Sequence, residues 1–215
     1  MRSAPNRFWA TVEPDHYGEF DLAGFADESE ASAGDVEAIV DALEAPRHAG
    51  VEYPSWRGDE IAPGLFMGGT RDDDTIDLPA RLRDLGERGE YDAVVTLYAW
   101  AQPVDWEVEE LRYGFGDGAL AGPDIARVVR AAAWAHQRWR SGDRVLIRCQ
   151  AGLNRSGLVS ALVLVIEGWE PDVAIRRIRD RRSPYALFNS DFVRWLVADS
   201  AAAVARLQAG AYAGR

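Results

Sequence analysis

The sequence predicts an α/β fold in which a central, mostly parallel sheet is flanked by helices. Short runs rich in β-branched and aromatic residues, YDAVVTLY at 91–98 and RVLIRC at 144–149, alternate with longer stretches of helical spacing. A strand, helix, strand, helix order implies parallel pairing through crossovers, and this lays helices on the sheet. The second strand also runs straight into the apolar stretch RSGLVSALVLVI through the short turn CQAGLN.

Taken in order, residues 33–43 have the spacing of a short helix, with Val36, Ile39, Val40 and Leu43 on one face. GLFMGG at 64–69 is an apolar run closed by glycines, and YDAVVTLY is a buried strand. Between them, residues 76–85 have helical spacing ended by Gly86. LRYGF at 111–115 is strand-like and leads into the Gly-rich loop GDGALAGP. Pro123 opens an Ala-rich helix to about Arg140, as proline does at a first helical turn, and RVLIRC follows as a strand. Helices are then expected over 155–168 and 171–182, separated by Gly168 and Pro171, and a last one runs from a cap at Ser190 to about Gln208.

At 215 residues and 47% hydrophobic, the chain can bury one ordinary core with an extension. Charge places that extension. Residues 1–50 hold 11 Asp and Glu against 3 Arg, a balance of −8 within a net −11. We read 1–50 as an acidic N-terminal extension and 51–215 as the domain, and since the motifs all lie downstream, deletion of residues 1–45 is expected to leave a folded, active domain. The acidic balance argues against a nucleic-acid partner, because phosphates would repel it. The single cysteine, Cys149, excludes an intramolecular disulfide and fits a reducing cytoplasm. The longest apolar run, 158–166, is far shorter than the roughly 20 residues of a membrane span, so a soluble, cytoplasmic protein is expected. All 24 basic residues are arginine, which excludes a Walker loop and lysine Schiff-base chemistry. His16, His48 and His136 show no metal-ligand spacing, and no metal or cofactor is expected.

The turn from RVLIR to RSGLVSALVLVI carries the chemistry. Successive backbone N–H groups in such a turn converge on one point, and the helix N-terminus adds its positive end, which suits a phosphate-binding loop. A cysteine at the start of that loop sits where positive potential favours the nucleophilic thiolate, so Cys149 is the candidate nucleophile. Arg155, six positions later, can hold two phosphoryl oxygens at once with its planar fork. Gly152 lets the backbone pass close to those oxygens, and Gly157 allows tight packing of the helix start.

Cys149-QAGLN-Arg155-Ser156 is the C-x5-R-S pattern, and with it the sequence resembles the protein-tyrosine phosphatase superfamily, in particular its small dual-specificity branch. The resemblance covers about residues 60–196: IAPGLFMGG is similar to that branch's opening strand and SPYALFNSDFVRWL to its closing segment. It implies hydrolysis of phosphate monoesters through a phosphocysteine, with Cys149 as nucleophile and Arg155 as phosphate clamp. Ser156 is implied as the hydrogen-bond donor to the sulfur, and Gln150, Ala151, Gly152, Leu153 and Asn154 as the source of amide donors. The family usually has a histidine before the cysteine, and here it is Arg148. That arginine keeps positive charge nearby but, on a pleated strand, points away from its neighbours, and activity is expected to survive.

Protonation of the leaving oxygen needs a group on the side opposite the sulfur. The resemblance puts an aspartate there, a few tens of residues upstream on the loop after a strand. Asp117 lies 32 residues before Cys149, follows LRYGF, and sits among Gly114, Gly116 and Gly118, which let the loop move. It is preferred over Asp124, placed to start the next helix; Glu107, Glu109 and Glu110 are the further carboxylates to test. Arg176, Arg177, Arg179, Arg181 and Arg182 read as a solvated helix face rather than an anion-recruiting patch. Arg71 and residues 72–74 read equally as a cleft lining or a polar loop.

The substrate expected is a phosphorylated protein or peptide. Phosphotyrosine is the base case; phosphoserine and phosphothreonine are added if the cleft is shallow. Phosphoinositide-directed relatives tend to carry lysines in the loop, and QAGLN has none. The alternatives are a pseudophosphatase that binds phosphorylated partners without turnover, and another thiolate enzyme such as a sulfur transferase or an arsenate reductase. The last commonly recruits further thiols, which this chain lacks.

Overall fold

The computed structural model describes residues 33–44, 58–70, 90–106 and 108–212. In chain order these form α1 (Ala33–Ala42), β1 (Asp59–Ala62), β2 (Leu65–Gly68), β3 (Ala93–Thr96), β4 (Glu109–Arg112), α2 (Gly122–Arg140), β5 (Val145–Arg148), α3 (Arg155–Ile166), α4 (Pro171–Arg181) and α5 (Ser190–Tyr212). The strands lie in the order β1-β2-β5-β3-β4, with β1 antiparallel to β2 and the other pairs parallel. This is the α/β architecture that the sequence implies. β5 is central because all four of its residues tolerate burial on both faces, as inner parallel strands require. β1 was not expected as a separate strand. It turns back onto β2 through Pro63 and Gly64, whose φ of 82° is open to glycine.

Alternation along the strands separates two apolar layers. Leu65, Met67, Val95, Val145 and Ile147 join the helices in the main core, while Val94 and Leu146 pack with Tyr91, Val104 and Val108 on the other face. α3 is the middle of the main layer. Every residue from Ser156 to Val165 is buried, which explains why this stretch is apolar all round. It packs against α2, α4 and α5, with its N-terminus at the end of β5.

α1 falls where helical spacing predicts it. Val36, Val40 and Leu43 are buried in the core, whereas Ile39, expected on the same face, is 36% exposed. The helix rests on α5, where Arg194 Nε donates to Glu37 Oε1 at 3.0 Å, and Arg179 Nη1 donates to the carbonyl of Leu43. Residues 33–44 of the acidic extension therefore pack into the core of the domain expected to begin at 51. The helix expected over 76–85 and the polar segment 71–74 lie outside the described residues.

Two boundaries differ from expectation. LRYGF is strand only as far as Arg112: beyond it the chain passes Ala99, whose Cβ would lie 3.1 Å from a Cβ at Gly114, and enters a loop. The cap of α5 is Asn189 rather than Ser190. Asn189 Oδ1 accepts from the Asp191 amide at 3.0 Å, and its carbonyl accepts from the Val193 amide at 3.2 Å.

Candidate active site

The loop between β5 and α3 is held by its carbonyls. Gln150 O accepts from the Thr70 amide at 2.9 Å, Gly152 O from Arg182 Nε at 3.0 Å, and Ala151 O from Arg182 Nη2 at 3.5 Å. Leu153 O accepts from the Leu187 amide at 3.2 Å and Asn154 O from the Leu158 amide at 2.8 Å. Each of these trans peptide units is thus pinned by its oxygen, which turns the N–H of the following residue, 151 to 155, the opposite way. Among the described residues, the N–H groups of 150–154 donate to no backbone acceptor. A run of open amides ahead of a helix N-terminus is an anion-binding concavity.

Two glycines make the shape possible. Gly152 has φ 68°, and a Cβ there would lie 2.4 Å from the carbonyl carbon of Gly68 and 2.5 Å from Gly69 N. At Gly157 a Cβ would come within 2.8 Å of Leu187 Cγ, so a side chain would push the helix start off its neighbour.

Cys149 begins the loop, only 2% exposed, with its Sγ 3.3 Å from Ser156 Oγ. At that distance the hydroxyl can donate to a thiolate. Arg155 reaches back over the loop. Its Nη1 donates to the carbonyls of Phe115 at 3.2 Å and Leu97 at 3.4 Å, and its guanidinium lies 5.7 Å from the Tyr98 ring centroid. Its Nε is buried and has no partner among the described residues. One edge of the fork is fixed by two carbonyls while Nε is open to an acceptor, the arrangement that receives an oxyanion.

Asp117 lies on the exposed loop after β4, yet both carboxylate oxygens are held. Oδ2 accepts from Asn154 Nδ2 at 3.0 Å and Oδ1 from Asn189 Nδ2 at 3.2 Å. Asn154 is the last residue of the loop that Cys149 begins, so the structure brings Asp117 to the rim of the concavity. Asp124 sits instead in the first turn of α2 and accepts from the Tyr113 hydroxyl. Glu109 pairs with Arg138 at 2.9 Å, and Glu110 is taken up below the site; Glu107 lies outside the described residues.

No family model and no curated protein sequence matches the chain. Solved structures do. The chain is 25% identical to Tk-PTP in its active form over 65% of this chain and 92% of that one, with a TM-score of 0.50. It is 24% identical to a mouse putative dual specificity phosphatase complexed with zinc tungstate, over 77% and 97% of the two chains, at a TM-score of 0.56. With human DUSP28 the identity is 22%, the coverage 73% and 99%, and the TM-score 0.55. The chain has the fold of the protein-tyrosine phosphatase superfamily.

Within this phosphatase fold the departure at Arg148 takes a definite form. Arg148 is 1% exposed, and its side chain points to the sheet face opposite the helices. Its Nε donates to Thr96 Oγ1 at 2.9 Å, and its Nη2 to the carbonyl of Gln102 at 2.6 Å and to Glu110 Oε1 at 3.3 Å. The same Glu110 oxygen also accepts from Thr96 and Arg112. The side chain thus points away from Cys149, as expected on a pleated strand, and there it is the centre of a buried network with its charge paired with Glu110. Thr96, Arg148 and Arg112 end β3, β5 and β4 in register, so the network ties together the three strand ends from which the site's loops leave.

The arginines of α4 and its end are not a uniform solvated face. Arg177 Nε donates to the carbonyl of Ile61 at 2.8 Å, and Arg179 to those of Ala186 and Leu187 at 3.0 Å. The burial that these bonds require holds the Arg179 guanidinium below the usual arginine range. Arg182, with its side chain fully buried, holds the carbonyls of Ala151 and Gly152 in the loop between β5 and α3 and is itself paired with Asp59 at 2.6 Å. Sequence reasoning missed this role, and those of Tyr98 and Asn189; the asparagine of FNSDF was the one available signal.

Proposed function

We propose that the protein hydrolyses phosphate monoesters of phosphorylated proteins or peptides through a phosphocysteine on Cys149. Phosphotyrosine is a substrate, and phosphoserine and phosphothreonine are accepted where the cleft admits them. The observation that carries this reading is the loop itself: five pinned carbonyls, amides that meet no backbone acceptor and an Arg155 Nε without a partner among the described residues, around one buried thiol. Such a set of donors fits the three equatorial oxygens of a phosphoryl group and stabilises them best in the transition state.

In the first step the Cys149 thiolate attacks phosphorus. The bond to the leaving oxygen breaks, and Asp117 supplies its proton. In the second, water attacks the phosphocysteine and loses a proton to Asp117, while the sulfur departs as a thiolate to which Ser156 donates. No metal or cofactor enters either step. Arg148 is compatible with this chemistry because its charge is met by Glu110.

Hydrolysis of p-nitrophenyl phosphate tests the reading. Turnover that is inhibited by vanadate and unaffected by a chelator is expected. Binding of phosphopeptides without turnover would instead make the chain a phospho-binding module.

A further inference from the structure

We infer that Asn189 and Asn154 are positioning residues that hold Asp117 over the loop, acting as a two-armed amide tether. This rests on the reading of Asp117 as the proton donor. Three features of the geometry point to it. The loop is anchored upstream of Asp117: Phe115 gives its carbonyl to Arg155, and its ring stacks on Tyr113 at 5.5 Å and packs near Phe192 at 6.2 Å. Past that point the loop is open. Gly116 and Gly118 flank Asp117, and a Cβ at either would meet nothing within 4 Å. The only side-chain hydrogen bonds that orient Asp117 among the described residues are those from the two asparagines.

The amides can point in only one direction. Asn154 Oδ1 accepts from the Asn189 backbone N–H at 3.1 Å, and Asn189 Oδ1 accepts from the Asp191 N–H at 3.0 Å. A backbone N–H is always a donor, so each asparagine must present its oxygen there and its NH2 to the other side. The NH2 groups therefore face Asp117, one on each carboxylate oxygen. Asn189 also caps α5, so the tether runs from a rigid helix end to the last residue of the phosphate-binding loop. An acid placed on a glycine-flanked loop is useful only if its oxygens are held within hydrogen-bond reach of the leaving atom.

Asn189→Ser separates this role from capping, because a serine hydroxyl still caps the helix but is too short to reach Asp117. The test compares kcat on phenyl phosphate, a poor leaving group, with kcat on p-nitrophenyl phosphate, a good one. The parent, Asn189→Ser, Asn154→Ser, Asp117→Ala and Asn189→Ser/Asp117→Ala are all measured. We expect Asn189→Ser to lower kcat on phenyl phosphate by about tenfold, and on p-nitrophenyl phosphate by less than about threefold. Asn154→Ser should show the same bias, and Asn189→Ser should have no further effect once Asp117 is alanine. An equal loss on both substrates, or an undiminished loss in the Asp117→Ala background, would assign Asn189 to capping alone and overturn the inference. If Asp117→Ala itself shows no leaving-group bias, Asp117 is not the proton donor and the tether falls with it. A bias in Asp117→Ala but not in Asn189→Ser overturns only the tether.

Discussion

Arg155 shows why residue type, and not only charge, decides this site. Its fork is divided: Nη1 is committed to the carbonyls of Leu97 and Phe115, and Nε has no partner among the described residues. A lysine has one compact ammonium and cannot do both. Arg155→Lys should therefore lower kcat/KM on p-nitrophenyl phosphate by about 10²-fold or more with an unchanged melting temperature. Near-parent rates would remove Arg155 from the clamp. Cys149, Ser156 and Arg155 were legible in the sequence because their relation is local: strand, loop and helix start occupy eight consecutive residues. That Asp117 reaches the end of this loop was expected from the resemblance, which puts an aspartate a few tens of residues upstream, and from the glycines around it. Arg182 and Asn189 were not, since 30 and 35 residues separate them from the loop groups they touch, and only the tertiary fold sets those contacts. The arginine run of α4 misled for a related reason. Two of its side chains, and that of Arg182 just past its end, are taken by backbone carbonyls, which a charge pattern does not reveal.

Among the elements, the parallel strands β3, β4 and β5 share one design. Each ends in a polar residue, Thr96, Arg112 and Arg148, and each is followed by a loop that serves the site. The Arg148–Glu110 pair crosses from the central strand to β4, with side chains only 1% and 6% exposed. Removing one member leaves the other buried and unpaired, at a cost of about 3–5 kcal/mol. Glu110→Ala should thus lower the free energy of unfolding by that amount in a urea titration, and Glu110→Leu/Arg148→Met should recover most of it. Retention of parent stability in Glu110→Ala would show the pair to be dispensable. Strands β3 and β5 were readable from their apolar runs, but β1 was not: DEIA is half charged and is a strand only because β2 offers it an edge. The end of β4 was misplaced: the strand stops at Arg112, and the chain beyond it passes close to Ala99 at Gly114, a contact 15 residues apart in sequence.

For the molecule as a whole, charge suggested a division near residue 50, and packing does not respect it. Of the four apolar residues that helical spacing puts on one face of 33–43, three, Val36, Val40 and Leu43, close the core over α5. Deletion of residues 1–45 should therefore lower the melting temperature and the denaturation midpoint, as the loss of three buried side chains at about 1.5–3 kcal/mol each requires. An unchanged midpoint would show that α1 contributes no net stability. The layered α/β order was legible because strand and helix periodicities alternate over 91–182. All of this architecture converges on one buried thiol. The direct test is mass spectrometry of the protein quenched in acid during turnover of p-nitrophenyl phosphate: we predict one phosphoryl group, located on Cys149, and none in Cys149→Ser, which should also be inactive. Turnover by Cys149→Ser, or phosphoryl transfer to another residue, would contradict the account.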